Sequence, residues 1–548
     1  MAADRGEAVD ERIDVLAWGT PPAWSAGRAL LLPLHYPAAA RTVAGHLADD
    51  PAPWTLFWHP RLGAPPLEDL RALVASGAAE AWHGGLALGL AGLPDEHDYI
   101  HPTSPFVLDP DPEVGGTCWR LSLGAALVRT DALKAVGGLD GGFEGATGAG
   151  LELGRRLLER GAVVRHSSAL VPIVGCLSEP LSERDRFLFL RRTFGRKWVV
   201  YASVRRALAT RHPIRVARGL AASGRAAAAH PAIQPGLVER PPAPFDRAAR
   251  VSVVLPTLGR YELLRPLLAQ LGRQTVPPLE ILVVDQNDPD RRDESLYAAL
   301  ASKGVIPIFQ DVKGQWVSRN AAVQQARGDW VAFVDDDSEI EPDFIAAHLE
   351  GIARYGAELS TGASLAVVGA PVPDNYGFFR VADQWDSGNG MCRRSLFAEM
   401  GLFDEQYDRQ RRGDAEFGLR VQLSGRLVVH NPNATRVHLK AAEGGLRTFG
   451  QWDGFRSKDR SGPLPVPSML YFSATYHSRR QQREDLALGL VHALVPYHLK
   501  RRATPVQWAG FLAAELVRLP SLVRRVLTSR RLAAEMVQAG PHIPKLAL

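Results

Sequence analysis

The sequence predicts an α/β protein whose functional half is a mostly parallel sheet flanked by helices. Two observations carry that expectation. Between residues 251 and 334, near-continuous apolar runs of strand length alternate with helical stretches, the pattern of parallel strands covered on both faces. Polar groups also fall at the carboxyl ends of those runs: Arg260, Asp285 and the triplet Asp335-Asp336-Asp337. In open α/β sheets, ligands bind beyond those ends.

In order, Val251 to Leu255 reads as a buried strand that stops at Pro256-Thr257-Leu258-Gly259-Arg260. A helix follows from about Tyr261 to Arg273. Ile281 to Val284 is a second strand, ending on Asp285-Gln286-Asn287-Asp288. Leu296 to Leu300 is helical and Val305 to Phe309 a short strand; Trp316 to Arg327 is helical and stops at Gly328. Trp330 to Val334, β-branched and aromatic, is the strand that delivers the Asp triplet, and Glu341-Pro342-Asp343-Phe344 restarts a helix. Negative charge clustered at the end of a buried strand is costly unless a cation meets it. Mg²⁺ or Mn²⁺ takes oxygen ligands and bridges to phosphates, so either satisfies the demand. The plainer alternative is a solvated acidic loop that caps a helix.

These residues resemble the family 2 glycosyltransferases of GT-A fold, a Rossmann-like arrangement. The resemblance runs through Val253-Val254-Leu255-Pro256-Thr257, Val283-Val284-Asp285, Gly314 through Ser318-Arg319-Asn320, Ala326 to Asp329 and Phe333 to Asp337. It continues in Gly388 to Arg394, Gly401-Leu402-Phe403-Asp404-Glu405 and Gly413-Asp414-Ala415-Glu416, covering about residues 249 to 450. It implies that Asp285 contacts the nucleotide base, Asp335 the nucleotide or sugar, Asp337 the metal, and that Asp414 is the catalytic base. The family often has Glu-Asp where this chain has Gly413-Asp414, so the base rests on Asp414, with Glu416 in reserve. The expected donor-binding set is Pro256, Thr257, Arg260, Asp285, Arg319, Asp335 and Asp336. The expected metal set is Asp337, Asp335 and His438, the imidazole following the strand Arg436-Val437 near Lys440 and Arg447.

The implied reaction is displacement of the nucleotide from a nucleotide diphosphate sugar by an acceptor oxygen. A positioned carboxylate that removes the acceptor's proton contributes about 10²–10⁴-fold, and a divalent ion stabilises the diphosphate leaving group. One displacement inverts the anomeric centre. As a plain alternative, Asp414 is an N-cap of the helix Ala415 to Ser424.

The first 180 residues repeat part of this pattern. Trp54 to Pro60 aligns without gaps on Trp330 to Asp336, and residues 124 to 166 align on 388 to 430 with ten identities in 43 positions, among them Gly124, Asp140, Glu152, Arg156 and His166. Internal repetition is the better reading. The chemistry is absent from this copy: His59-Pro60-Arg61 replaces the Asp triplet and Gly150 replaces Asp414. The stretch from Ile13 to His59 is too short for every β–α unit of its counterpart. A non-catalytic domain serving packing, dimer formation or acceptor binding is expected.

The division is therefore 1–180, a degenerate GT-A-like domain; 181–248, a basic helical segment closed by the linker Pro241-Pro242-Ala243-Pro244; 249–460, the catalytic domain; and 461–548, a helical basic tail. Cys118, Cys176 and Cys392 are too few and scattered for a disulfide framework or zinc site, which fits a reducing cytoplasm. Residues 1 to 20 show no signal peptide, and no uncharged apolar run reaches spanning length. Net charge is +5, concentrated in arginines at 184 to 225 and in the tail around Trp508, Phe511, Arg518, Arg524-Arg525 and Arg530-Arg531. No nucleic-acid motif accompanies them, so contact with the inner face of the cell membrane or plain solvated helices are the readings. Expected partners are a nucleotide diphosphate sugar, a glycan or lipid-linked acceptor, that membrane face and a second copy. A sugar-1-phosphate nucleotidyltransferase would want a Gly-rich basic loop after the first strand, where this chain has one glycine. A scaffold of two decayed domains is opposed by the intact Asp triplet and Asp414.

Overall fold

The structure, a computed structural model, describes all residues except 1–10, 20–21, 93–99, 101–103, 172–176, 178, 229–235, 367–371, 442–444, 446–461, 496–503 and 547–548. Cys176 and Arg447 fall outside the described residues. Sixteen strands among them form two sheets. The first contains β1 (Ile13–Trp18), β2 (Ala29–Leu32), β3 (Trp54–Trp58), β4 (Ala81–His83), β5 (Gly116–Thr117), β6 (Ala125–Arg129) and β7 (Val164–His166), in the order β2-β1-β3-β6-β4-β7-β5. The second contains β8 (Val251–Thr257), β9 (Glu280–Asp285), β10 (Val305–Phe309), β11 (Trp330–Val334), β12 (Ser338–Ile340), β13 (Leu359–Ala366), β14 (Arg380–Val381), β15 (Asn389–Arg393) and β16 (Val428–His438). Its order is β10-β9-β8-β11-β15-β13-β16-β12, with β14 also on β16.

The parallel arrangement expected from sequence holds for β10, β9, β8 and β11. Beyond them it recurs between β13 and β16. β15 runs antiparallel to β11, and β12 and β14 antiparallel to β16, so the sheet is mixed. The helices Tyr261–Leu271, Glu294–Leu300 and Gln315–Gln325 supply the crossovers that parallel neighbours need. Because side chains alternate along a strand, each strand feeds both layers. Val254, Leu282, Val284, Val331 and Phe333 pack with Trp316, Trp385, Phe397, Phe403 and Phe417. Val253, Leu255, Ile281, Val283 and Val334 pack under Leu264, Leu267, Leu268 and Leu271 of the first crossover helix. Both faces buried is why these strands read as apolar throughout.

The two sheets share pairing registers. β3 meets β6 antiparallel with Trp54 opposite Arg129 and Trp58 opposite Ala125; β11 meets β15 with Trp330 opposite Arg393 and Val334 opposite Asn389. Ile13 opposes Trp54 as Val251 opposes Trp330. Ala81 opposes Val164 as Leu359 opposes Val428. A side-chain clamp recurs as well. Arg156 pairs with Glu152 and donates to the Val136 and Gly138 carbonyls; Arg420 pairs with Glu416 and donates to the Met400 and Leu402 carbonyls. The first sheet lacks a described counterpart of β10, and between β1 and β3 it has one crossover helix, Tyr36–Ala48.

The sheets are not isolated bodies. Phe379, Val381, Leu427 and Val429 lie in the same core as Trp82, Trp119 and Val164. Arg165 donates to the Gly425 carbonyl and Gln422 to the Thr117 carbonyl. The basic segment is three helices, Glu183–Thr193, Arg196–Thr210 and Pro213–Ala228. Several of its arginines are internal: Arg192 pairs with Asp140, Arg206 with Glu183, and Arg191 donates to Ser223. The tail helix Leu519–Ala539 packs on Pro467–Tyr476, and the chain after it straps the loop before residue 413. Leu402 and Glu405 donate to the carbonyls of Pro544 and His542, and Gln406 to that of Met536.

Candidate active site

Three strand ends and one crossover helix build the cleft. Pro256, Thr257 and Arg260 come from β8, Asp335, Asp336 and Asp337 from β11, and His438 from β16; Arg319 reaches in from the helix Gln315–Gln325, and Gln286, Gln315 and Gly445 complete the lining. Every Asp of the triplet meets a guanidinium, and Arg260 is shared by Asp336 and Asp337. Asp335 accepts from Arg319 Nη2 at 2.6 Å and from Arg436 Nη1 at 2.9 Å. Asp336 accepts from Thr257 Oγ1 and Arg260 Nη1, each at 2.9 Å. Asp337 lies 3.4 Å from His438 Nε2 and 3.4 Å from Arg260 Nη1.

The electrostatics follow from those neighbours. Burial works to raise Asp335, but Arg436 and Arg319 overcome it and hold the carboxyl well below its usual range. Burial pushes Asp336 up to about 6 against the pull of Arg260. Asp337, also buried, is lowered by His438 and Arg260 despite the opposing Asp335 charge. Gly388 permits the Asp335–Arg436 contact, because a Cβ there would run into both groups.

The three residues expected to hold a metal are differently engaged. Both oxygens of Asp335 face guanidiniums, so Asp335 is not a ligand in this arrangement. Asp337 and His438 converge, one hard carboxylate oxygen and one imidazole nitrogen at the cleft. That pair suits Mg²⁺ or Mn²⁺ whose remaining ligands come from a bound diphosphate. No cluster of three or more acidic, His or Cys ligands occurs among the described residues.

Asp414 is half-buried at the start of the helix Gly413–Leu423. The cap of that helix is Arg412, with a left-handed backbone, so Asp414 is inside the first turn, accepting from the Ala415 N–H at 2.8 Å. It is not the N-cap. Burial pushes its carboxyl up to about 6, the nearby Asp386 charge adding to the rise and Arg319 opposing it. The family's departure at Gly413 has a steric cause: the Trp316 indole fills the place a side chain would take. Glu416 is corrected. It is buried, paired with Arg420 at 3.0 Å, and accepts from Tyr476 Oη at 2.6 Å. A carboxylate committed to that clamp is not a reserve base.

Asp285 is placed differently from expectation. It is 0 % exposed and accepts from Tyr261 Oη, from Tyr297 Oη at 2.7 Å and from Asn287 N and Nδ2. Its carboxylate organises the end of β9 rather than lining the cleft. Two groups escaped the sequence reading. Arg436 sits two residues before His438 on β16, and that spacing puts both on one face. Asp386 is 34 % exposed, accepts from Ser364 Oγ at 2.6 Å and pairs with Arg436 at 3.1 Å. It lies in a segment without regular pattern, just ahead of Gly388-Asn389-Gly390.

Residues 252–396, spanning β8 to β15, match the family model Glycosyl transferase family 2. This segment belongs to that family. The family 2 domain is accompanied by relatives at low identity. O-antigen biosynthesis protein RfbC of Myxococcus xanthus is 25 % identical over 349 residues, 58 % of this chain and 25 % of that protein. This chain therefore spans a quarter of RfbC. The uncharacterized glycosyltransferase YwdF of Bacillus subtilis is 29 % identical over 263 residues, 43 % of this chain and 94 % of YwdF. The glucosyl-dolichyl phosphate glucuronosyltransferase of Haloferax volcanii is 26 % identical over 269 residues, 44 % of this chain and 84 % of that enzyme. The names of these relatives describe glycosyl transfer and, for RfbC, O-antigen biosynthesis.

Proposed function

We propose that this family 2 domain moves a sugar from a nucleotide diphosphate sugar to a hydroxyl of a saccharide or lipid-linked acceptor, with inversion, in cell-surface glycan synthesis. The observation that carries the reading is Asp414: a half-buried carboxylate poised at about 6, within electrostatic reach of Asp335, Asp386 and Arg319. Pro256, Thr257 and Asp336 shape the donor's floor, and Arg260 and Arg319 supply positive charge beside the diphosphate. Asp285 acts on the base end indirectly, by fixing Tyr261, Asn287 and Tyr297. Asp337 and His438 would hold Mg²⁺ or Mn²⁺, which when bound stabilises charge on the departing diphosphate. Asp414 takes the acceptor hydroxyl proton as that oxygen bonds to the anomeric carbon. The anomeric carbon–phosphate oxygen bond breaks in the same displacement, its electron pair leaving with the nucleoside diphosphate. No covalent nucleophile is needed. RfbC's role in O-antigen synthesis and the lipid-phosphate acceptor in the Haloferax enzyme's name support the acceptor class. A panel of nucleotide sugars with Mn²⁺ tests this: nucleoside diphosphate release that needs both acceptor and Asp414 is expected, and release by no donor would reject it.

We further infer that residues 1–180 are a degenerate, non-catalytic copy of residues 249–460. The shared registers and the twin Glu–Arg clamps support this. So does Gly150, where a Cβ would press on the Leu121 carbonyl at 2.6 Å, leaving no space for a base like Asp414. The expected count is one donor bound per chain.

A further inference from the structure

The helix Pro505–Val517 carries one charged residue, Glu515, yet it lies largely in solvent. Val506 is 80 % exposed, Leu516 69 % and Val517 83 %. Trp508 and Phe511, in edge-on contact at 6.0 Å, are partly exposed. Among the described elements this helix packs on Leu519–Ala539, which continues the apolar surface with Leu519, Val523 and Leu527. A helix apolar on most sides is stable only when something covers it. At 13 residues it is about 20 Å long, too short to cross a bilayer core of about 30 Å, and no described helix is long and apolar enough to do so.

We propose that this helical pair is a docking surface for an anionic lipid bilayer, with Pro505–Val517 lying in the plane of the interface. Charge selects the occupant. Arg518, Arg524, Arg530 and Arg531 lie close in sequence to the apolar residues and are exposed, Arg518 pairing with Glu515 and Arg531 with Glu535, and the surplus positive charge would oppose a second copy. Aromatic rings at an apolar helix's edge suit the headgroup level, and each arginine near an anionic leaflet adds attraction. The helix Arg196–Thr210 repeats the design: Val200, Val204 and Leu208, four residues apart, form an exposed stripe, with exposed Lys197 and Arg211 at its ends. The inference stands on surface alone and does not need the catalytic reading.

Sedimentation of the full chain with vesicles tests it. Phosphatidylglycerol–phosphatidylethanolamine vesicles should bind the protein, and raised salt should weaken binding. Neutral phosphatidylcholine vesicles should bind it at least about tenfold less. L516E/V517E, at exposed positions that leave the fold intact by circular dichroism, should lower binding about tenfold or more, while donor binding stays unchanged. Equal binding to anionic and neutral vesicles, or none to either, overturns the proposal. So does a dimer in analytical ultracentrifugation that L516E/V517E dissolves while vesicle binding persists.

Discussion

In the proposed reaction Asp337 and Asp414 divide the chemistry between them, and each gives a separate readout. Asp337→Ala removes the carboxylate that faces His438 at 3.4 Å. Mn²⁺-dependent nucleoside diphosphate binding should be lost, by calorimetric titration, with the circular dichroism spectrum unchanged. Asp414→Asn should keep donor binding and lose about 10²–10⁴-fold in turnover, because an amide cannot take the acceptor's proton. The pH profile has a definite sign. Asp414 must be deprotonated to act, and its carboxyl stands at about 6, so turnover should rise through pH 6 and fall about tenfold per unit below it. Asp386→Asn removes a neighbouring negative charge, so that acid limb should move to lower pH. An unmoved limb would detach Asp386 from the base.

The Glu416–Arg420 clamp is the element that decides between structure and catalysis for the second acid. It joins the helix Gly413–Leu423 to the Met400 and Leu402 carbonyls, and its twin at Glu152–Arg156 works where no chemistry is expected. Breaking a buried pair costs about 3–5 kcal/mol. Glu416→Ala should therefore lose roughly that much in denaturant unfolding, with turnover per folded molecule within a few fold of the parent. A stable but inactive variant would return Glu416 to the role of base. At this scale the sequence was informative where patterns are local. The crossover helices and β8 to β11 were legible because both faces of each strand are buried. Asp285 was misplaced because tyrosines from two other elements, Tyr261 and Tyr297, claim its oxygens, and no local spacing announces them. Arg436 and Asp386 were missed for the same reason: their partners lie on separate strands and turns. That Asp335 faces guanidiniums was not legible, because Arg436 and Arg319 converge on it only in the fold.

Across the whole molecule the two sheets are coupled through one core, in which Leu427 and Val429 lie with Trp119 and Val164. Calorimetry should therefore show one unfolding transition for both sheets, and two separate transitions would contradict the shared core. The likeness between the two halves that motivates the proposed repeat was readable from glycines and charges at matching spacing. The extent of the sharing was not, because contacts such as Arg165 to Gly425 bridge residues far apart in sequence. The proposed mechanism requires a single metal-assisted donor site per chain, at Asp337 and His438. Titration of the full chain with nucleoside diphosphates, in Mn²⁺ and again in chelator, measures it most directly. The predicted result is one nucleotide per chain, lost in chelator and in Asp337→Ala. Two nucleotides per chain, or binding undiminished by chelator and by Asp337→Ala, would contradict it.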